Sequence, residues 1–82
     1  MDTATHSVTI YSTPTCGFCH MAKDMFTEHN VPFTDHNVQA DIAAREEMMK
    51  KTGGSTGVPV IDIDGTIIVG FDEERIKSLL GI

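Results

Sequence analysis

Val8-Thr9-Ile10-Tyr11-Ser12-Thr13-Pro14-Thr15-Cys16-Gly17-Phe18-Cys19 is the stretch on which the reading of the fold turns. Val8 and Ile10 alternate with Thr9 and Tyr11, and β-branched residues dominate, so the run reads as a strand. Ser12 to Thr15, with Pro14 inside, breaks it. Beyond the break, Phe18, Met21, Ala22, Met25 and Phe26 recur at i, i+3, i+4, i+7 and i+8, which predicts a helix with one buried stripe. His20, Lys23, Asp24, Thr27 and Glu28 fall to the other face. Asn30 and then Pro32 end the helix. Both cysteines of the chain therefore sit at the junction of a strand and a helix, two residues apart.

Outward from that unit, a weaker strand is expected at Phe33 to His36. A second helix is expected from Gln39 or Asp41 to Thr52, with Lys50 and Lys51 in its last turn and Gly53-Gly54 as its stop. Val58 to Ile63 and Thr66 to Val69 are β-rich runs joined by Asp64-Gly65, a strong hairpin signal. Asp72 caps a last helix whose Ile76, Leu79 and Leu80 face inward and which ends at Gly81. The order is β-α-β-α-β-β-α. The first β-α-β is a right-handed parallel crossover, and the hairpin adds antiparallel strands. The expected fold class is α/β, a four-stranded mixed sheet flanked by helices, in one domain spanning residues 1–82 with a polar, frayed tail at 1–6.

The chain has 82 residues and a formal net charge of −6, with 40% hydrophobic and 22% charged residues. An acidic surface disfavours nucleic acid and anionic membranes. No apolar run approaches the roughly 20 residues that a membrane span needs, and the first six residues have no signal-peptide character. The expectations are a cytoplasmic monomer. In that compartment a cysteine pair is more often catalytic or metal-binding than structural.

A cysteine at a helix start meets unpaired backbone N–H groups and the positive end of the helix dipole. Such cysteines ionise between roughly 3.5 and 7.5, against about 8.5 for a free thiol. Cys16 is therefore expected to be the nucleophile. Cys19 shares a side with Ala22 and Phe26, so it is expected to be buried, protonated and able to resolve a mixed disulfide on Cys16. Gly17 is assigned a tight turn and room for a substrate, and Phe18 an apolar contact beside the sulfur. Three other readings compete. The pair could be two buried structural thiols. Cys16-Gly17-Phe18-Cys19-His20 also spells the C-x-x-C-H signature of c-type haem attachment, but the chain is half β and has no export signal. A zinc or iron–sulfur site needs four ligands, so one cysteine pair would need glutathione or a second chain to complete it. His6, His29 and His36 have no ligand spacing and read as surface residues; His20 reads as solvent-facing. No metal ligand is assigned.

Tyr11 to Cys19, then Val58-Pro59 before a strand, then Val69-Gly70-Phe71-Asp72, resemble in that order the active-site, Val-Pro and Gly-x-Asp segments of glutaredoxins and NrdH-type redoxins. The resemblance spans about residues 8–80. It implies a thioredoxin fold with sheet order 2-1-3-4, and a cis Pro59 packed opposite Cys16. It implies a substrate or glutathione site at Thr13, Gly17, Phe18, Val58, Pro59, Gly70, Phe71 and Asp72, with the Val58 backbone pairing an extended substrate and Asp72 facing the amino group of glutathione. The implied activity is reduction of protein or glutathione mixed disulfides through a Cys16–Cys19 disulfide. Glutathione or thioredoxin reductase is the implied donor, disulfide-bearing proteins such as ribonucleotide reductase are the implied partners, and no cofactor is tightly bound. The potential expected is about −200 to −270 mV. Among the departures from the family pattern, Thr13 stands where glutaredoxins usually carry Lys or Arg; Lys50 and Lys51 are candidate substitutes from the second helix, on which spacing does not decide, and Gly17-Phe18 stands where many have Pro-Tyr.

Overall fold

The computed structural model describes residues 6–54 and 57–82. Strand β1 (Val8–Ser12) is followed by helix α1 (Gly17–Glu28), strand β2 (Thr34–Asn37), helix α2 (Ile42–Thr52), strands β3 (Val60–Ile63) and β4 (Thr66–Val69), and helix α3 (Glu73–Leu80). The sheet order is β2-β1-β3-β4. β1 pairs with β2 in parallel, while the β1–β3 and β3–β4 pairs are antiparallel. This is the four-stranded mixed sheet expected from the order of elements, in the 2-1-3-4 order of the thioredoxin fold that the resemblance implies.

The two-residue period of the strands sorts the core onto two faces. Val8, Ile10, Ile61, Ile63 and Ile68 point one way and meet Ala22, Met25 and Phe26 of α1 and Ile76 and Leu80 of α3. Tyr11 and Val60 point the other way and meet Ala44 and Met48 of α2. β1 is central and buried on both faces, whereas β2 reads Thr-Asp-His-Asn and is an exposed edge. A polar edge suits a strand with one free side, because it deters pairing with other chains.

Local chemistry sets the ends. Asp41 and Asp72 cap α2 and α3 by accepting from the backbone N–H of Ala44 and Arg75. α1 ends at His29, and Asn30 then turns back at φ 57°. Asp64 and Gly65 take φ 52° and 93°, the left-handed pair that a tight hairpin turn requires.

Several expectations need correction. The buried stripe of α1 is Cys19, Ala22, Met25 and Phe26, not one that includes Phe18 and Met21. Those two are 61% and 51% exposed. Periodicity locates a stripe but not its edge, and the sheet contacts only the Cys19 side. Lys23 was placed on the solvent face but is half-buried, bonded to Asp35. The second strand starts one residue later and the third two residues later than expected, because pairing with β1 defines them. The tail was expected to fray to residue 6. Residues 1–5 lie outside the described residues, and His6 is held to Asp64 at 2.6 Å. The same Asp64 carboxylate accepts from the Ser7 backbone. His36 is not a bare surface residue either: its ring stacks on Tyr11 with centroids 5.5 Å apart.

Candidate active site

Cys16 occupies the N-cap of α1, with extended backbone at φ −81°, ψ 110°. Its sulfur takes the place of a capping oxygen: Sγ accepts from the Cys19 backbone N–H at 3.2 Å. That donor is one of the unpaired amides that every helix start exposes. The loop before it is fixed on two sides. The Cys16 N–H donates to the Thr13 carbonyl at 3.2 Å. His20 Nε2 lies 2.9 Å from the Pro14 carbonyl, where its N–H can donate. His20 is exposed, as expected, yet it braces the loop that carries the nucleophile candidate.

Both thiols are free, Cys16 half-buried and Cys19 buried. Burial and the hydrogen bond with Cys16 push the Cys19 thiol up to about 12, outweighing the lowering effects of the Thr13 backbone and the Lys23 charge. Cys19 is therefore a protonated thiol at neutral pH in this dithiol state.

The other candidate residues fall as follows. Gly17 is exposed in the first turn of α1, and a methyl group there would meet nothing within 4 Å. Its φ is not positive, so no tight turn requires it; that assignment is corrected. Any need for glycine there comes from what approaches from outside. Phe18 projects into solvent. The Val58–Pro59 bond is cis, with Pro59 buried and Val58 half-buried against the Tyr11 cluster. Gly70 follows β4 at φ 92° and donates to the Pro59 carbonyl at 2.8 Å. That bond ties the Val69–Asp72 segment to the Val58–Pro59 segment. Phe71 packs half-buried against the α1–α3 core.

Thr13 borders a shallow groove with Val38, Gln39, Arg45 and Met48. Arg45 as a neighbour of Thr13 was missed from sequence. Lys50 or Lys51 was expected to supply the cation, but Lys51 is committed elsewhere: it donates to Asp62 at 2.8 Å and Tyr11 at 2.7 Å and pairs with Glu47 at 3.3 Å. Arg45 lies six residues earlier on α2, roughly 9 Å along the axis. No sequence spacing signals it, because only the packing of α2 on β1 brings it beside Thr13. Also missed was the chain Ser12–Asp35–Lys23. Buried Ser12 donates to Asp35 at 2.6 Å, and Lys23, one turn beyond Cys19, donates to the other carboxylate oxygen at 3.0 Å. Among the described residues no group of three or more His, Cys, Asp or Glu converges as a metal site. Nor is any helix among them long and apolar enough to cross a membrane.

The family model described as Glutaredoxin matches residues 8–68. The chain belongs to the glutaredoxin family. It is 47% identical over 73 residues to an uncharacterized glutaredoxin-like 8.6 kDa protein in the rubredoxin operon of Clostridium pasteurianum, covering 89% of this chain and 96% of that one. It is 40% identical over 67 residues to glutaredoxin 3 of Escherichia coli, covering 82% and 80%. Among solved structures, the glutaredoxin from Methanosarcina mazei Go1 superposes with a TM-score of 0.80 at 29% identity, covering 93% of this chain and 79% of that one. The thioredoxin-like protein BC3987 superposes with a TM-score of 0.83 at 29% identity, covering 89% and 99%. A glutaredoxin with Cys16 and Cys19 one helical turn apart is consistent with a thiol–disulfide oxidoreductase.

Proposed function

We propose that this glutaredoxin reduces protein or glutathione mixed disulfides by a dithiol mechanism, with glutathione as its electron donor. The observation that carries the reading is the Cys16 sulfur at the N-cap of α1, with the buried Cys19 thiol in the next turn. The Cys16 thiolate attacks one sulfur of a substrate disulfide. A Cys16–substrate disulfide forms, the substrate S–S bond breaks, and the first thiolate leaves and takes a proton. Cys19 then loses its proton and attacks the Cys16 sulfur. The Cys16–Cys19 disulfide forms and the second substrate thiol leaves. Two electrons pass from protein to substrate, and two glutathione thiols restore the dithiol as glutathione disulfide.

The burial of Cys19 suits this order. Two of the influences that hold its proton, the hydrogen bond and the charge of Cys16, belong to the dithiol state. Once Cys16 is bonded to substrate, that sulfur is neither a thiolate nor a thiol. Cys19 is then easier to ionise at the step that needs its thiolate. We assign Val58 and Pro59 to backbone pairing with the extended substrate, and Gly17 and Phe18 to the approach beside the sulfur. The Thr13 groove, with Arg45 and Gln39, suits a glutathione carboxylate, and Gly70, Phe71 and Asp72 suit its other end.

Replacing Cys19 by Ser is the direct test. A stable mixed disulfide on Cys16 is expected, found by mass spectrometry after tryptic digestion; a trap formed only on Cys19 in the reciprocal variant would reverse the roles. Turnover of a disulfide coupled to glutathione and its reductase identifies the donor. Turnover with thioredoxin reductase and none with glutathione would exclude glutathione as the donor.

A further inference from the structure

A groove runs between the C-terminal half of α1 and the start of α3, floored by Met21, Met25 and Phe71 and bordered by Asp24 and Glu28. It continues the exposed side of α1 that begins at Phe18, two residues from Cys16. Phe18, Met21, Asp24 and Glu28 are exposed and follow one another at helical spacing, with the buried Met25 beneath, so they form a single track leading away from the nucleophile candidate. Resting on the oxidoreductase reading above, we propose that this track docks the polypeptide around a substrate disulfide, and that the segment it fits carries an apolar residue followed by Lys or Arg.

The charge argument is local. Asp24 and Glu28 are four residues apart on one helix face, where like charges repel. Glu28 also stands in the last turn of α1, which holds no basic residue, although the negative end of the helix dipole favours cations there. Neither carboxylate makes a salt bridge among the described residues. His29, Glu73 and Lys77 also line the groove, and the Lys77 ammonium is taken up by Glu73 at 3.3 Å. Glu28 therefore stands where the helix end favours a base, with Asp24 repelling it one turn back, and a cationic side chain from outside relieves both. The floor is suited to varied apolar partners, because methionine is unbranched and adapts its shape.

Geometry sets where the cation belongs. From Cys16 to Asp24 the helix advances roughly 12 Å, which an extended chain covers in about four residues. A substrate cysteine joined to Cys16 thus places the residue about four positions away beside Asp24, with Glu28 one turn further on.

Two disulfide-linked peptides test this, identical except for Lys or Glu four positions on each side of the cysteine. The reference is the ratio of their reduction rates by dithiothreitol, which removes any intrinsic difference between the two disulfides. Relative to that ratio, the wild-type protein should favour the Lys peptide by roughly tenfold at low salt, falling toward unity at about 0.5 M salt. In the Asp24→Lys, Glu28→Lys variant the preference should reverse. A wild-type rate ratio equal to that of dithiothreitol, or a preference unchanged by salt or by the variant, would overturn the docking proposal while leaving the oxidoreductase reading intact. Failure of the wild-type protein to reduce even hydroxyethyl disulfide would instead overturn the oxidoreductase reading and this proposal with it.

Discussion

At the scale of single residues, the two cysteines differ because the helix treats them differently. Cys16 caps α1 from outside the sheet's shadow, and Cys19 turns inward against the core. Lys23 lies one turn beyond Cys19, where its charge favours the Cys19 thiolate, and Asp35 holds it there with Ser12 behind. Replacing Lys23 by Met should slow closure of the Cys16–Cys19 disulfide at neutral pH, because a smaller fraction of Cys19 is then thiolate. It should also move the pH profile of closure to higher pH. Quenched-flow measurement of closure, starting from a mixed disulfide on Cys16, checks this. Formation of that mixed disulfide should change little. An unshifted profile would mean that Lys23 serves packing alone.

At the scale of elements, the start of α3 carries a helix cap and a proposed ligand contact on one side chain. Asp72 caps the helix by accepting from Arg75 N–H at 3.2 Å, and the same carboxylate is the proposed partner of a glutathione amine. Asn keeps a capping oxygen and loses the charge, whereas Ala loses both. Asp72→Asn should therefore leave the urea midpoint nearly unchanged and raise the KM for glutathione several-fold. Asp72→Ala should in addition destabilise the protein by ~1 kcal/mol. The β3–β4 turn offers a second case. Asp64 accepts from His6 and from Ser7, which hold its carboxyl below the usual range. A depressed carboxyl contributes stability above its unfolded value, near 4, and that contribution is lost as pH falls through the folded value. Asp64→Asn should accordingly flatten the acid limb of the stability profile followed by circular dichroism.

At the scale of the whole molecule, one ion network fastens α2 to the sheet. Lys51 of α2 reaches Tyr11 of β1 and Asp62 of β3, and Tyr11 donates to Glu47 at 2.9 Å. Burial works to lower the Lys51 pKa, but the hydrogen bonds to Asp62, Tyr11 and Glu47 outweigh it and raise the value above its ordinary 10.5. A raised lysine stabilises fully below its unfolded pKa, and the gain fades as pH rises through the folded one. Lys51→Met strands the half-buried Asp62 carboxylate. It should cost about 2 kcal/mol at pH 7, less than a fully buried pair because water reaches both groups. Urea denaturation should show that loss shrinking as the pH is raised above about 10.5, and partly recovered in Lys51→Met, Asp62→Asn.

By itself the sequence determined the succession of elements, the Asp72 cap, the Asp64-Gly65 hairpin and the unequal burial of the cysteines. Each depends on contacts within one turn or one strand, so residue type and spacing carry them. Only the tertiary structure decided that Phe18 and Met21 stay in solvent, that Lys51 is drawn into an ion network while Arg45 borders the Thr13 groove, and that His6 and His36 are held. Those outcomes depend on which face of a helix meets the sheet and how far along it the packing falls. That is a property of residues distant in the chain meeting in space, and no local period encodes it.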